Sequence, residues 1–194
     1  MVLYVVRHGQ TDYNAEMRFQ GRLDIPLNEH GKEQARGNGR ALKTLIGDRI
    51  GEFDFVSSPL GRTRQTMELI RSELGLDISD YRLDDRLVEL SFGDWEGFTI
   101  SDLEHTFPEL FAERENDKWN FVPPGEPSES YNILSQRIAP YLKSVDKPTV
   151  CVCHGGVIRA MFQIINGGDS RAAAAAPIPQ DRLVKIEDNQ IGWL

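Results

Sequence analysis

The sequence predicts an α/β fold: a three-layer sandwich with a mostly parallel central sheet and helices on both faces. Three observations carry that expectation. Short, continuous apolar runs recur at residues 2–6, 53–56 and Thr149–Cys153, as strands buried on both faces require. Stretches with helical spacing and capping residues separate them, and strands alternating with helices make a layered sandwich. The 194 residues suit one domain, residues 1–194. A chain of this size buries roughly 70% of its unfolded surface, so it needs no disulfide or metal staple.

Val2-Leu3-Tyr4-Val5-Val6 reads as the first strand and stops at Arg7-His8-Gly9. Residues 10–29 are polar and turn-rich. Asn28 is placed to cap a helix over Glu29–Ile46, which Gly47 closes. Gly31, Gly37 and Gly39 weaken that helix in isolation, so packing must hold it. Phe53-Asp54-Phe55-Val56 is the second strand and Ser57-Ser58-Pro59 a turn. Gly61–Leu74 follows as a helix that buries Met67, Ile70 and Leu74. Residues 81–90 read as extended, with Arg82, Asp84 and Arg86 alternating against Leu83 and Leu87. Residues 93–127 are aromatic and irregular, and are expected to form a cap-like insertion over a pocket. A satellite core under a long loop is the competing reading.

Residues 131–145 read as an amphipathic helix with Pro140 as a site for a kink. Thr149–Cys153 is a buried strand ending at His154-Gly155-Gly156, followed by an apolar helix over residues 157–165. The five alanines at residues 172–176 read as a helical turn after Asp169 or Ser170, with no evident task. Residues 182–187 are the last strand expected. No internal repeat occurs.

There are 22 Lys and Arg against 30 Asp and Glu, a net charge of −8. That balance opposes nucleic-acid binding, which requires a basic face, and a polybasic membrane anchor. No apolar run approaches the ~18 residues of a membrane span. The first residues lack the basic segment and cleavage site of a secretory signal. Cys151 and Cys153 lie two apart on one strand, a poor geometry for a bridge. Free thiols and a cytoplasmic location are expected.

Two strands end alike, as Val6-Arg7-His8-Gly9 and Val152-Cys153-His154-Gly155. Each sets an imidazole at the carboxyl end of a strand, where α/β folds bind ligands. One histidine so placed reads as structural. Two at matching positions read as a site, provided the strands are neighbours. His30 and His105 sit in polar helical contexts and read as surface residues. A metal site needs a third ligand, and no His-Glu-x-x-His pattern or dense carboxylate cluster supplies one. An anion fits better. Arg7 offers a planar fork for phosphate oxygens, and Arg62 opens a helix whose N-terminus favours anions.

These residues carry a family resemblance. Arg7-His8-Gly9-Gln10-Thr11, Asn14, Gln20-Gly21 and Pro26-Leu27 resemble the opening signature of the histidine phosphatase superfamily, the phosphoglycerate-mutase-like proteins. Ser57-Ser58-Pro59-Leu60-Gly61-Arg62-Thr63 resembles its second motif. Leu87-Val88-Glu89-Leu90, then Phe92-Gly93-Asp94-Trp95-Glu96-Gly97, resembles its acid motif, and His154-Gly155-Gly156 its last. Order and spacing agree from residue 2 to about residue 165.

The resemblance implies a phosphoglycerate-mutase-like fold and a set of roles. His8 would attack phosphorus and become phosphohistidine. Arg7, Arg62 and His154 would hold the phosphoryl oxygens, with Asn14, Gln20, Gly21 and Gly155 completing the pocket. Glu89 would protonate the leaving oxygen and then activate water. No metal or cofactor is implied, and the partner is a small phosphomonoester. Trp95-Glu96-Gly97 and the short chain resemble the phosphatase branch more than the mutases. One departure is Pro127-Ser128-Glu129-Ser130, where many relatives read Gly-Gly-Glu-Ser ahead of the helix carrying Arg137.

Three alternatives stay open in the sequence. One is a 2,3-bisphosphoglycerate-dependent mutase. Another takes Cys153 and Arg159 as the Cys-x5-Arg of a thiolate phosphatase, although Ala160 stands where a hydroxyl residue is usual. The third is a protein that keeps the phosphate pocket for binding alone.

Overall fold

The computed structural model describes residues 1–194. Six strands form one sheet: β1 (Val2–Arg7), β2 (Asp54–Ser57), β3 (Arg82–Leu83), β4 (Thr149–Cys153), β5 (Leu183–Glu187) and β6 (Gln190–Trp193). Their order is β3-β2-β4-β1-β5-β6. The first four are mutually parallel; β5 runs against β1 and β6 against β5. Strand alternation gives the sheet two apolar faces. Leu3, Val5, Val56, Cys151, Cys153 and Val184 face α6 (Tyr131–Ser144) and α7 (Gly155–Asn166). Val2, Tyr4, Val6, Phe55, Val150 and Val152 face α2 (Glu29–Ile46) and α3 (Gly61–Leu74). The three layers expected from the sequence are present.

Both cysteines are free and buried on the same face, as their spacing predicts. His30 and His105 are exposed. No helix is long and apolar enough to cross a membrane.

Local differences have local causes. Residues 81–90 are not one extended run. β3 is two residues long, because Asp84 then accepts the Arg86 amide at 3.0 Å and turns the chain into a 3-10 helix over Asp85–Leu87. The last helix of the main core starts at Gly155, two residues early, with His154 as its N-cap. β6, absent from the expectation, returns through Asp188-Asn189, whose φ values of 50° and 59° make the tight turn. Short α1 (Asp12–Ala15) was also unread; Thr11 caps it, its side chain accepting the Asn14 amide.

Residues 93–127 contain α4 (Ile100–Thr106) and α5 (Pro108–Asn116). Trp95, Leu103 and Phe111 pack there with Phe19 as a small core of their own. The alanines form α8 (Ser170–Ala175), capped by Asp169.

The glycines of α2 are not equivalent. A Cβ on Gly31 would sit 2.1 Å from the Gln10 carbonyl oxygen, and one on Gly39 2.8 Å from the Glu73 Cβ. These two let the helix lie against the chain leaving β1 and against α3. A Cβ on Gly37 meets nothing closer than the Arg40 guanidinium at 3.9 Å. Opposite signs follow in urea unfolding. Gly31→Ala costs about 1–3 kcal/mol by overpacking. Gly37→Ala gains about 0.5–1 kcal/mol, because alanine suits a helix interior better. Equal effects at the two positions would contradict this packing.

Candidate active site

Sheet register brings the two strand-end motifs together. β1 and β4 pair with Arg7 opposite Cys153, and the His8 amide donates to the Cys153 carbonyl at 3.0 Å. His8 and His154 therefore leave the sheet side by side, with ring centroids 5.2 Å apart. The first turn of α3, following β2, brings Arg62 against them.

Both nitrogens of His8 are assigned by their partners. Nδ1 lies 2.8 Å from the Gly9 carbonyl oxygen, which only accepts, so Nδ1 carries the proton. Nε2 receives the Arg62 Nε–H at 3.2 Å, so it presents a lone pair. Burial, with the Arg62 and Arg7 guanidiniums beside it, holds the imidazole well below its usual pKa and keeps it neutral. His154 is fully buried and depressed for the same reason, with Arg62 and His8 adding to the burial. Its Nε2 lies 2.8 Å from the Ser58 hydroxyl.

Arg62 is held by the loop after α1. It donates to the Leu23 and Gly21 carbonyls, both at 2.7 Å. Gln20 closes the set: its amide nitrogen donates to Thr11 Oγ1 at 2.7 Å and its oxygen accepts from Arg62 at 3.0 Å. Arg7 donates to the Ile178 carbonyl at 2.6 Å. Burial lowers both guanidiniums to about 10, Arg7 with Arg159 as the next cause, and both stay charged at neutral pH. Four buried polar side-chain atoms of the protein lack a partner, and two of them, Arg7 Nε and His154 Nδ1, belong to this cluster. Unpaired polar atoms beside buried cations suit an anionic acceptor.

Glu89 accepts the Leu90 amide at 2.9 Å and the Gly156 amide at 3.1 Å, which fixes its carboxylate at the N-terminus of α7. The backbone just ahead of it is clamped by Arg137, which donates to the Arg86 and Val88 carbonyls at 2.6 and 2.8 Å. Glu129 holds Arg137 at 2.8 Å and Arg22 at 3.0 Å. Glu96 accepts the Arg22 amide at 3.0 Å and the Phe92 amide at 3.1 Å, tying the loop that carries Gly21 to the acid segment. A Cβ on Gly21 would sit 2.0 Å from that carboxylate, so glycine is required there. The Pro127-Ser128 departure lies outside the cavity: Pro127 takes the Ser91 hydroxyl and Ser128 donates to Pro123.

Arg7, His8, Arg62 and Glu89 line one cavity of about 460 Å3, with Asn14, Gln20, Gly21 and Gly155 beside them. His154 stands beside His8 and is fully buried. Sequence reasoning missed Gln180, which donates at 3.0 Å to both the His8 carbonyl and Asn14 Oδ1. Asn38 of α2 holds the Gln180 carbonyl at 2.9 Å. No local pattern marks Gln180, since its task depends on a chain crossing 172 residues away from His8. Tyr131, Arg114, Lys118, Ala174 and Ala175 also reach the wall unannounced, as does Arg159, which the sequence offered only as a partner for Cys153.

The thiolate reading fails on geometry. Cys153 faces the core between the sheet and α6 and α7, where burial pushes its thiol well up. Arg159 instead donates to the Ala176 carbonyl at 2.8 Å and to the Tyr131 hydroxyl at 3.3 Å.

The chain is similar to several known proteins. The model of the histidine phosphatase superfamily (branch 1) matches residues 3–193. A Bacillus subtilis protein described as an uncharacterized phosphatase, PhoE, is 35% identical over 170 residues, covering 85% of this chain and 77% of its own. A probable phosphoglycerate mutase, GpmB, from Salmonella paratyphi C is 32% identical over 197 residues, covering 99% and 87%. The native structure of mycobacterial glucosyl-3-phosphoglycerate phosphatase superposes with a TM-score of 0.76 at 29% identity, over 95% of this chain and 88% of that one.

The two neutral histidines make stability pH-dependent. An unfolded histidine takes a proton near pH 6.5, while the buried ones resist it. The unfolded state then binds more protons, so stability is present above that pH and is lost as pH falls below it. Urea unfolding in phosphate-free buffer should show each histidine costing about 2 kcal/mol between pH 7 and pH 5, with a slope that approaches about 1.4 kcal/mol per unit at the acid end. His154→Asn should remove about half that slope; an unchanged slope would show that His154 is charged when buried.

Proposed function

The chain belongs to branch 1 of the histidine phosphatase superfamily, and from that premise we propose that it is a metal-independent phosphomonoesterase working through a phosphohistidine. The observation that carries the reading is the His8 imidazole, held neutral with its proton on the Gly9 carbonyl and its Nε2 lone pair turned to Arg62. A lone pair fixed in place next to cations is what attack on a phosphoryl group asks for.

In this scheme Nε2 of His8 attacks phosphorus in line, and the bond to the leaving oxygen breaks. Nδ1–H stays on the Gly9 carbonyl and shares the charge that the ring acquires. Arg7, Arg62 and His154 take the phosphoryl oxygens, supported by Asn14, Gln20, Gly21 and Gly155. The two guanidiniums supply the positive charge that a metal supplies in other phosphoryl-transfer sites. Glu89 gives its proton to the leaving oxygen. It then takes one from a water that attacks the phosphohistidine, releasing phosphate and restoring His8. Residues 93–127 close over the leaving-group end as a cap. The substrate is a small phosphorylated metabolite, and two buried free cysteines fit a cytoplasmic setting.

A mutase is the second reading, favoured by the GpmB likeness over almost the whole chain. Phosphate release and 3-phosphoglycerate isomerisation measured side by side separate the two; isomerisation without net release would sink the phosphatase reading.

Protein given a radiolabelled phosphomonoester and denatured in alkaline detergent should carry label on His8 that alkali spares and acid releases, and His8→Ala should lose both label and turnover. Glu89→Gln should slow turnover by about 10²–10⁴-fold. Activity should survive EDTA and stop with vanadate; a strict need for added Mg²⁺ would contradict the mechanism.

A further inference from the structure

A guanidinium can only donate, so Arg7 and Arg62 have one polarity toward an anion whatever holds them. His154 and Asn14 have two. A neutral imidazole presents an N–H or a lone pair, and a carboxamide its nitrogen or its oxygen. An N–H binds a phosphoryl oxygen; a lone pair or a carbonyl oxygen repels it. The partners that hold these two side chains therefore decide whether the pocket attracts or repels at each. Those partners are Ser58 and Gln180.

Ser58 follows β2, and its backbone is fixed on both sides. Its amide donates to the Val152 carbonyl at 3.0 Å, and its carbonyl accepts the Ser57 and Thr63 hydroxyls, both at 2.9 Å. Its own hydroxyl is buried and has one partner, His154 Nε2 at 2.8 Å. A buried O–H is rarely left without an acceptor, so it donates to Nε2. The proton of the neutral ring then sits on Nδ1, because the hydrogen bond at one ring nitrogen decides the state of the other. Nδ1 is the nitrogen that has no partner in the protein, and the Arg62 and Arg7 guanidiniums lie close to this ring. The reverse arrangement would leave the Ser58 hydroxyl without an acceptor even with an anion bound. It would also turn a lone pair on that anion.

Gln180 does the same for Asn14. Its Nε2 lies 3.0 Å from the His8 carbonyl, which only accepts, so the nitrogen and not the oxygen stands there. The second N–H of that nitrogen donates to Asn14 Oδ1 at 3.0 Å. The Thr11 amide donates to the same oxygen at 3.2 Å. Two donors on Oδ1 leave Nδ2 as the polar group that Asn14 offers to the cavity it lines.

We propose that Ser58 and Gln180 are positioning residues that set the polarity of the phosphoryl pocket. Ser58 holds His154 as its Nδ1–H tautomer, and Gln180 holds Asn14 with its nitrogen toward the anion, so both meet the phosphoryl oxygens as donors. The occupant rests on the phosphatase reading; the polarity is a property of the pocket whether or not turnover follows.

The test uses inorganic phosphate as the probe. Protein with isotope-labelled histidine, saturated with phosphate, should show in proton–nitrogen NMR spectra a protonated Nδ1 and a bare Nε2 on His154, assigned by its loss in His154→Asn. Ser58→Ala and Gln180→Met should each weaken calorimetric phosphate binding and lower kcat/KM by about ten- to a hundredfold, the scale of a charged hydrogen bond. Ser58→Thr, which keeps the hydroxyl, should recover most of the Ser58→Ala loss. Residues that act through a partner have effects that do not add. Ser58→Ala placed on His154→Ala, and Gln180→Met placed on Asn14→Ala, should each lower phosphate affinity by a further factor of only about three or less.

A proton on His154 Nε2 in the phosphate complex, or full losses repeated on either partner-free background, would overturn the assignment and leave the phosphatase intact. The wild-type spectrum decides even where a replacement at buried Ser58 disturbs folding. The expected tautomer and non-additive binding, with no phosphate released from any ester, would support the assignment and remove the phosphatase.

Discussion

Arg62 and Arg7 stand beside two buried imidazoles, and the rest of the molecule is arranged around that concentration of positive groups. Charges taken from water are expensive, and like charges brought together more so. The protein answers in three ways. The histidines stay neutral, pushed down by burial and by the guanidiniums themselves. Backbone carbonyls of Gly21, Leu23 and Ile178 accept from the arginines. Glu89 provides the one carboxylate on the cavity wall. A site prepared in this way is short of negative charge, and a phosphoryl group brings it.

Those carbonyls are useful only if they stay in place, which explains several contacts distant from any chemistry. Glu96 ties the Gly21-Arg22 loop to the segment that presents Glu89. Glu129 joins Arg22 to Arg137, and Arg137 holds the backbone ahead of Glu89. Gln180 braces the His8 carbonyl and Asn14 while Asn38 braces Gln180. Removing any one of these would leave the reacting groups in the protein but loosen the distances between them, and positioning is most of what phosphoryl transfer requires.

The fold was legible because its strands are apolar on both faces and its helices carry caps: Asn28 and Asp169 accept the amides their positions predict. The inner site was legible because its residues follow strands or open a helix. Neighbouring strands then placed His8 and His154 together. What stayed hidden depends on tertiary crossings. Gln180 follows a poly-alanine stretch with no evident task, yet its chain passes under His8. Arg114 and Lys118 sit in an aromatic segment whose helices fold on Phe19 and Trp95 rather than on the main core. Arg159 was visible, but only as a partner for Cys153. Strand alternation turns that thiol into the core, and the arginine serves the other side of the wall.

Net charge and local charge answer different questions here. At physiological salt the Debye length is about 8 Å, so acidic groups elsewhere on the surface are largely screened from an approaching ester. Groups inside a partly closed cavity are screened far less. The negative balance of the chain therefore governs solubility and turns away polyanions such as nucleic acid. The cations on the wall govern a small anion once it has entered. Separating the two scales lets an acidic protein hold a strongly basic pocket. It also explains why composition alone could exclude partners but could not describe the site.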